Sequence, residues 1–169
     1  MRLIWTKSRL PLSVLIRWGL SEPVSHFAMV FEEKIVFQSN LLGTQINWLK
    51  TFLSKHGTEI VFTLDYPLEE HAEDKVWDAI CNENDGKSYD YGAFFYFIYR
   101  AFLFKFFKRP FPKTNPLATK GEFLCTKLSQ SLPADIIPGV SDILDADIVT
   151  PYQLYLVLKL AQIKSTKRL

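Results

Sequence analysis

Cys125, His26 and Gln38 are the side chains in this chain whose types and order suggest chemistry. Cys125 lies in GEFLCTKLSQSL, just after a glycine and an acidic residue. A thiol is a good nucleophile only as thiolate, so it needs a helix N-terminus, a nearby imidazole, or both. A helix starting near Gly121 or Glu122 would put Cys125 in its first turn, where unpaired N–H groups and the dipole favour negative charge. The plain alternative is a buried cysteine beside Leu124 and Leu128 on an apolar helix face. A base has to decide between them.

The chain offers 3 histidines. His56 stands next to Gly57 at a helix end and His71 lies within EEHAED, and both read as solvated. His26 heads the run HFAMVF after the turn-like SEPVS, where an imidazole can stand at a sheet edge facing a cleft. It is the candidate base; the alternative is a strand-end histidine with local hydrogen bonds only. A base also needs a polar group at its other ring nitrogen to hold the tautomer. If 32–34 form a three-residue turn, Phe31 faces Ile35, His26 comes opposite Asn40, and Gln38 lies diagonal to His26 on the same face. A two-residue turn would send Gln38 to the other face, as a solvated amide. Tyr89 and Asp90 read as a helix cap beside the cleft and stay outside the catalytic set. For the three residues to act together, sulfur and imidazole must come within hydrogen-bond range across a groove.

The elements that would position them follow from residue periodicity. Short β-branched or aromatic runs at 2–6, 26–31, 34–38 and 59–64 predict strands. TQINWLKTFLSKHG predicts a helix with Thr44 as cap, Trp48, Leu49, Phe52 and Leu53 on one face and Gly57 at the end. PLEEHAEDKVWDAICNENDG predicts another, with Ala72, Val76, Ala79 and Ile80 facing inward and Cys81 as core packing. A strongly aromatic helix is predicted from about Tyr89 to Phe107, closed by Pro110. Thr150 as cap and Pro151 at the first position open a last helix. Strands early and helices late give an α+β class. At 169 residues the chain has length for one domain, 1–169, with a full core.

The order SHFAMVF, KIVFQSNLLGTQINWLKTFL, YDYGAFF, GEFLCTKL, TPYQL resembles the circularly permuted papain-like thiol hydrolases of the NlpC superfamily, particularly the YiiX-like branch. The likeness spans roughly residues 12 to 158. It implies a small antiparallel sheet or half-barrel packed against helices, with the nucleophile at a helix N-terminus. It also implies Cys125 as nucleophile, His26 as base and Gln38 as third polar residue, with histidine before cysteine, the reverse of the unpermuted order. The family more often has an acid or a histidine where Gln38 stands; a neutral amide can hold the ring but cannot stabilise an imidazolium by charge.

The implied activity is acyl transfer through a thioacyl enzyme, as peptidase, amidase or thioesterase, on cell-wall peptides or lipid-linked acyl groups. The competing class is a binding module with an inert thiol. No metal or organic cofactor is called for, and two cysteines cannot build a disulfide framework. A formal charge of +2 argues against nucleic acid as partner. The 15-residue run AFFYFIYRAFLFKFF is shorter than the ~20 residues of a bilayer span. With Arg100, Lys105, Lys108 and Arg109, the 93–109 helix is a candidate for peripheral membrane contact, or else a buried central helix with snorkelling basic ends. The N-terminal stretch is broken by Lys7, Arg9, Pro11 and Arg17 and lacks a small-residue cleavage site, so it does not read as a signal peptide. The default expectation is the cytoplasm.

Overall fold

The computed structural model describes residues 1–84, 86–110, 114–118, 125–133, 136–137, 140 and 149–166. Its elements are β1 (Arg2–Lys7), α1 (Pro11–Leu20), β2 (His26–Phe31), β3 (Ile35–Asn40), β4 (Gly43–Trp48), α2 (Leu49–Ser54), β5 (Glu59–Asp65), α3 (Glu70–Asn84), α4 (Tyr91–Phe107), a 3₁₀ helix (Cys125–Ser131) and α5 (Pro151–Thr166). The strands form one antiparallel five-stranded sheet in the order β4-β3-β2-β1-β5. This is an α+β architecture.

Alternation along the strands sorts side chains onto two faces. Leu3, Trp5, Phe27, Met29, Phe31 and Phe37 point to one. There they pack with Val76 and Ile80 of α3, Leu128 of the 3₁₀ helix and Leu132 just after it, and Leu154, Tyr155 and Leu158 of α5. Trp5 anchors this core, its ring centroid 5.1 Å from Phe27 and 5.2 Å from Tyr155. Each large side chain buried here contributes about 1.5–3 kcal/mol. The opposite face carries Ile4, Ala28, Val30 and Val36, covered by Phe52 with Leu49 and Leu53 of α2. Being covered on both sides, β2 reads as an unbroken apolar run after its histidine.

The β2–β3 hairpin has the register expected of a three-residue turn, with Phe31 opposite Ile35 and Ala28 opposite Gln38. Glu32 and Glu33 take left-handed conformations, at φ 49° and 57°, to close it. That costs about 1–2 kcal/mol per residue. The turn is tied down where Glu32 N–H donates to Glu73 Oε1 at 3.0 Å.

Three elements differ from the sequence expectation. Residues 44–48 of the predicted helix belong to strand β4 (Gly43–Trp48), and only Leu49–Ser54 is helical. The helical spacing of Trp48, Leu49, Phe52 and Leu53 lost to pairing with β3, which sets Ile46 opposite Phe37 and Gln45 opposite Gln38. Thr44 is no helix cap: its N–H donates to the Lys87 carbonyl at 3.0 Å. Helix α1 was missed, although Pro11 presets its first position and Leu12, Ile16 and Leu20 recur at helical spacing.

The segment opening at Cys125 is a 3₁₀ helix and not the α-helix expected; the supposed start at 121–122 lies outside the described residues. Ser129 Oγ donates back to the Thr126 carbonyl at 2.7 Å, and Leu132 N–H closes on the Ser129 carbonyl. Local bonds of this kind compete with α-helical pairing, and Pro133 cannot continue the ladder.

Helix α4 begins at Tyr91, where buried Asp90 accepts the Ala93 N–H at 2.7 Å. It closes on left-handed Lys108, two residues before Pro110. Thr150 caps α5 as expected. Its Oγ1 accepts the Gln153 N–H, and Gln153 Oε1 accepts the Thr150 N–H, both at 3.0 Å. Neither cysteine is in a disulfide, and Cys81 packs against the main core. No helix among the described residues is long and apolar enough to cross a membrane.

Candidate active site

Covering of the second sheet face stops short of the start of β2. Helix α2 ends at Ser54, and the space beyond is a groove of about 330 Å³ whose walls include His26, Gln38, Cys125, Tyr89, Ser13 and Ser25. Each side chain arrives there for a local reason. Ser25 N–H donates to the Thr6 carbonyl at 3.0 Å, and Thr6 pairs with His26, so the first residue of β2 is held in register. Gln38 reaches the same face because the three-residue turn keeps it in phase with Ala28. Cys125 comes from the far side of the chain, packed onto the sheet by Leu128 and Leu132.

The imidazole and the amide are joined: His26 Nε2 and Gln38 Oε1 lie 2.9 Å apart. With the amide oxygen facing the ring, Nε2–H donates and the lone pair falls on Nδ1, the nitrogen then able to take a proton. Burial pushes the imidazole pKa down to about 4, partly offset by the bond to Gln38. A neutral amide suits this state, since a carboxylate there would favour the imidazolium.

The sulfur is held differently. Burial pushes the Cys125 thiol up to about 11, although backbone N–H groups of Phe27, Thr126 and Cys125 itself face the sulfur and favour the anion. Desolvation outweighs them. Near pH 7 the groove therefore holds a neutral thiol and a neutral imidazole. Among the described residues no hydrogen bond joins the sulfur to the imidazole, so the two share a wall without the direct contact expected between them. Because Phe27 adjoins His26, the sulfur sits within one residue of the base along β2. Such pairs often tighten only when substrate binds.

Several groove residues carried no chemical reading in the sequence. Ser13 and Ser25 hydroxyls lie 2.5 Å apart, and Ser13 Oγ also accepts the Ser8 N–H at 3.0 Å. Missing α1 hid this pair, which the spacing of Leu12 and Ile16 could have revealed. Buried Tyr89 stands beside Cys125, its phenol raised well above the ordinary range by burial first and by the cysteine next. The β3–β4 turn forms a lip, with Leu42 largely exposed and Tyr91 OH donating to the Leu41 carbonyl. Gly43 is required beneath it: φ is 96°, and an added Cβ would meet the Lys87 carbonyl oxygen at 2.6 Å.

Behind Cys125 a second cavity of about 40 Å³ is lined by Ile16, Phe94, Phe97, Val149 and Pro151 among others. His56 lines the outer end of the groove as an exposed side chain, and His71 is exposed on α3. Among the described residues no group of three or more His, Cys, Asp or Glu could hold a metal ion.

No protein-family model, no curated protein and no solved structure matches this chain.

Proposed function

We propose that this chain is a cysteine-dependent acyl-transfer enzyme of permuted papain-like type, cleaving peptide, amide or acyl-ester bonds through a thioacyl intermediate. The observation that carries the reading is the convergence of Cys125, His26 and Gln38 on one groove, with Gln38 holding Nε2 and leaving Nδ1 basic.

The resting protonation states favour general-base attack over a preformed ion pair. As Cys125 Sγ adds to a substrate carbonyl, its proton passes to Nδ1 of His26. The carbonyl oxygen takes the electron pair, and N–H groups beside the sulfur, those of Cys125 and Thr126, are placed to stabilise it. The C–N or C–O bond then breaks as His26 returns the proton to the leaving group. Water, deprotonated by the same imidazole, releases the acyl group and restores the thiol. Inside a desolvated groove the transient thiolate and imidazolium attract strongly, so substrate that excludes water aids the transfer. The apolar parts of the groove, Leu10, Leu12, Ile16 and Phe52 among them, suit an acyl or apolar peptide group.

The test is trapping of the intermediate. Incubation with p-nitrophenyl esters of short and medium chain length should add one acyl mass to a peptide containing Cys125, and nothing in Cys125→Ala. His26→Ala should acylate far more slowly. Acylation that is equal on Cys81 and Cys125, or absent from both, would sink the proposal.

A second reading, a binding module with an inert thiol, is favoured by the high thiol pKa and the absent sulfur–imidazole bond. It predicts that ligands entering the groove bind equally well to Cys125→Ala and are never turned over.

A further inference from the structure

We propose that the outer faces of α1 and α4 together form a docking surface for an anionic lipid bilayer. The two helices run side by side. Leu12 and Ile16 pack with Ala93, Phe94 and Ile98, and Ile16 and Leu20 pack with Phe97 and Ala101. Gly19 faces Ala101 across this contact, where an added Cβ would lie 3.4 Å from that of Ala101, an ordinary packing distance. With these side chains turned inward, a second apolar stripe on each helix has nowhere to go.

On α4 that stripe is Phe95, Tyr99, Phe102 and Phe106, at helical spacing, exposed by 66%, 55%, 48% and 54%. On α1 it is Val14, Leu15 and Trp18, of which Trp18 is 51% exposed. The stripes join where Trp18 meets Phe106, ring centroids 5.8 Å apart. A contiguous aromatic surface on this scale marks a partner, unlike scattered exposed apolar residues.

Charge selects the partner. Neither PLSVLIRWGL nor YGAFFYFIYRAFLFKFF contains a carboxylate, whereas they carry Arg17, Arg100 and Lys105, followed by Lys108 and Arg109. Among the described residues, the acids nearest to these helices in sequence are engaged by the protein itself: Glu22 takes the Thr150 hydroxyl at 2.7 Å and Asp90 caps α4. Lys105 lies 5.5 Å from the Trp18 ring and donates to Ser21 Oγ at 2.7 Å, so a cation borders the aromatic surface. The acidic helix α3, EHAEDKVWDAICNEN, packs instead in the main core, whose residues include none of α1 or α4. The small net charge thus conceals a basic aromatic side and an acidic side. Two copies meeting through this surface would bring like charges together, whereas an anionic bilayer accepts both the aromatic rings and the cations. At 17 residues, about 25 Å, α4 is too short to span the ~30 Å core and suits lying in the interface.

The inner sides of the same helices line the groove through Leu12, Ile16 and Phe94, so docking would hold the groove against the lipid surface. The inference does not depend on the reactivity of Cys125.

Vesicle co-sedimentation of the full chain tests it. Vesicles of equal parts phosphatidylcholine and phosphatidylserine should pellet the protein, with less pelleting as salt rises or when phosphatidylserine is omitted. The triple variant Trp18→Ser/Phe102→Ser/Phe106→Ser should lower partitioning about tenfold or more with an unchanged far-ultraviolet circular dichroism spectrum. Lys108→Glu/Arg109→Glu, altering exposed residues only, should weaken binding to the anionic vesicles alone. Cys125→Ala should bind like the wild type, which separates this inference from the catalytic one. No pelleting at low salt, or pelleting indifferent to both surface variants, would overturn it. So would a concentration-dependent dimer that the triple variant abolishes, since that assigns the surface to a second copy.

Discussion

The two faces of the sheet are built from the same five strands and do opposite work. On one, α3, α5 and the 3₁₀ segment cover Leu3, Trp5, Phe27, Met29, Phe31, Phe37 and Leu64 in a single continuous core. On the other, apolar packing is confined to a patch under α2, while α1 and α4 pack on each other in two further patches that include no strand residue, and the groove lies between these and α2. His26 and Gln38 occupy positions where strand alternation calls for an inward side chain, at the margin of the cover that α2 supplies, with the Phe52 ring centroid 6.3 Å from that of His26. A polar pair can survive there because each satisfies the other, whereas on the closed face an unpaired imidazole would lose its solvation without return. The comparison teaches that the site is an interruption of the second core.

The sharpest way to break the comparison is to act on each face separately. Cys125→Ala should reduce acyl transfer about a thousandfold or more, while urea unfolding shifts by under about 1 kcal/mol. Burst titration and denaturation on the same preparation would measure both. The closed face should respond in reverse: Trp5→Ala should cost about 3–5 kcal/mol of stability. A Trp5→Ala protein as stable as the parent would mean that the closed face is not the main source of stability.

Acidification tests the polar pair. The His26 pKa is lowered on folding, so the unfolded chain binds its proton first as pH falls. Its stabilising contribution is complete above about pH 6.5 and is lost as pH falls toward about 4, on the order of 3 kcal/mol in all. His26→Gln should flatten that part of the stability profile. The same neutral imidazole puts the acid limb of activity near pH 4 to 5, not at the ordinary histidine value. An acid limb at about 6.5 would instead indicate a solvated base.

Gln38→Leu should lower kcat about ten- to a hundredfold and move the acid limb further down, because the bond to Gln38 raises the imidazole pKa. A residue serving only to pack would leave the limb in place. The mildest effect concerns the thiol: with its pKa near 11, iodoacetamide should label Cys125 slowly at pH 6 without substrate, and faster as pH rises. Rapid labelling at pH 6 would show that the thiolate is already populated, making the ion pair the resting state.

Much of this organisation was legible in the chain. The runs at 2–6, 26–31 and 59–64 are strands within a residue or so, because aromatic and β-branched residues there agree with what the sheet needs. The turn at Glu32 to Lys34 left two faces open to Gln38, one for a three-residue and one for a two-residue turn, since strand alternation has a period of two and admits no intermediate; the structure has the three-residue register. The Thr150-Pro151 start of α5 was readable because capping is satisfied within four residues.

Other features depend on partners distant in sequence. Residues 44–48 open a stretch whose later residues Trp48, Leu49, Phe52 and Leu53 have helical spacing, yet they pair with β3, because completing a ladder beside an existing strand outweighs a weak local preference. The protonation states of His26 and Cys125 belong to the same class. Neither residue type nor neighbours in sequence fix how much water remains around a side chain. The amino-acid order by itself determined which groups are available and, for a given turn length, which strand face each one takes. Tertiary structure alone decided that Cys125 meets β2, that helices wall off a groove around the pair, and that both groups rest uncharged, because desolvation arises only when separate segments close over one point.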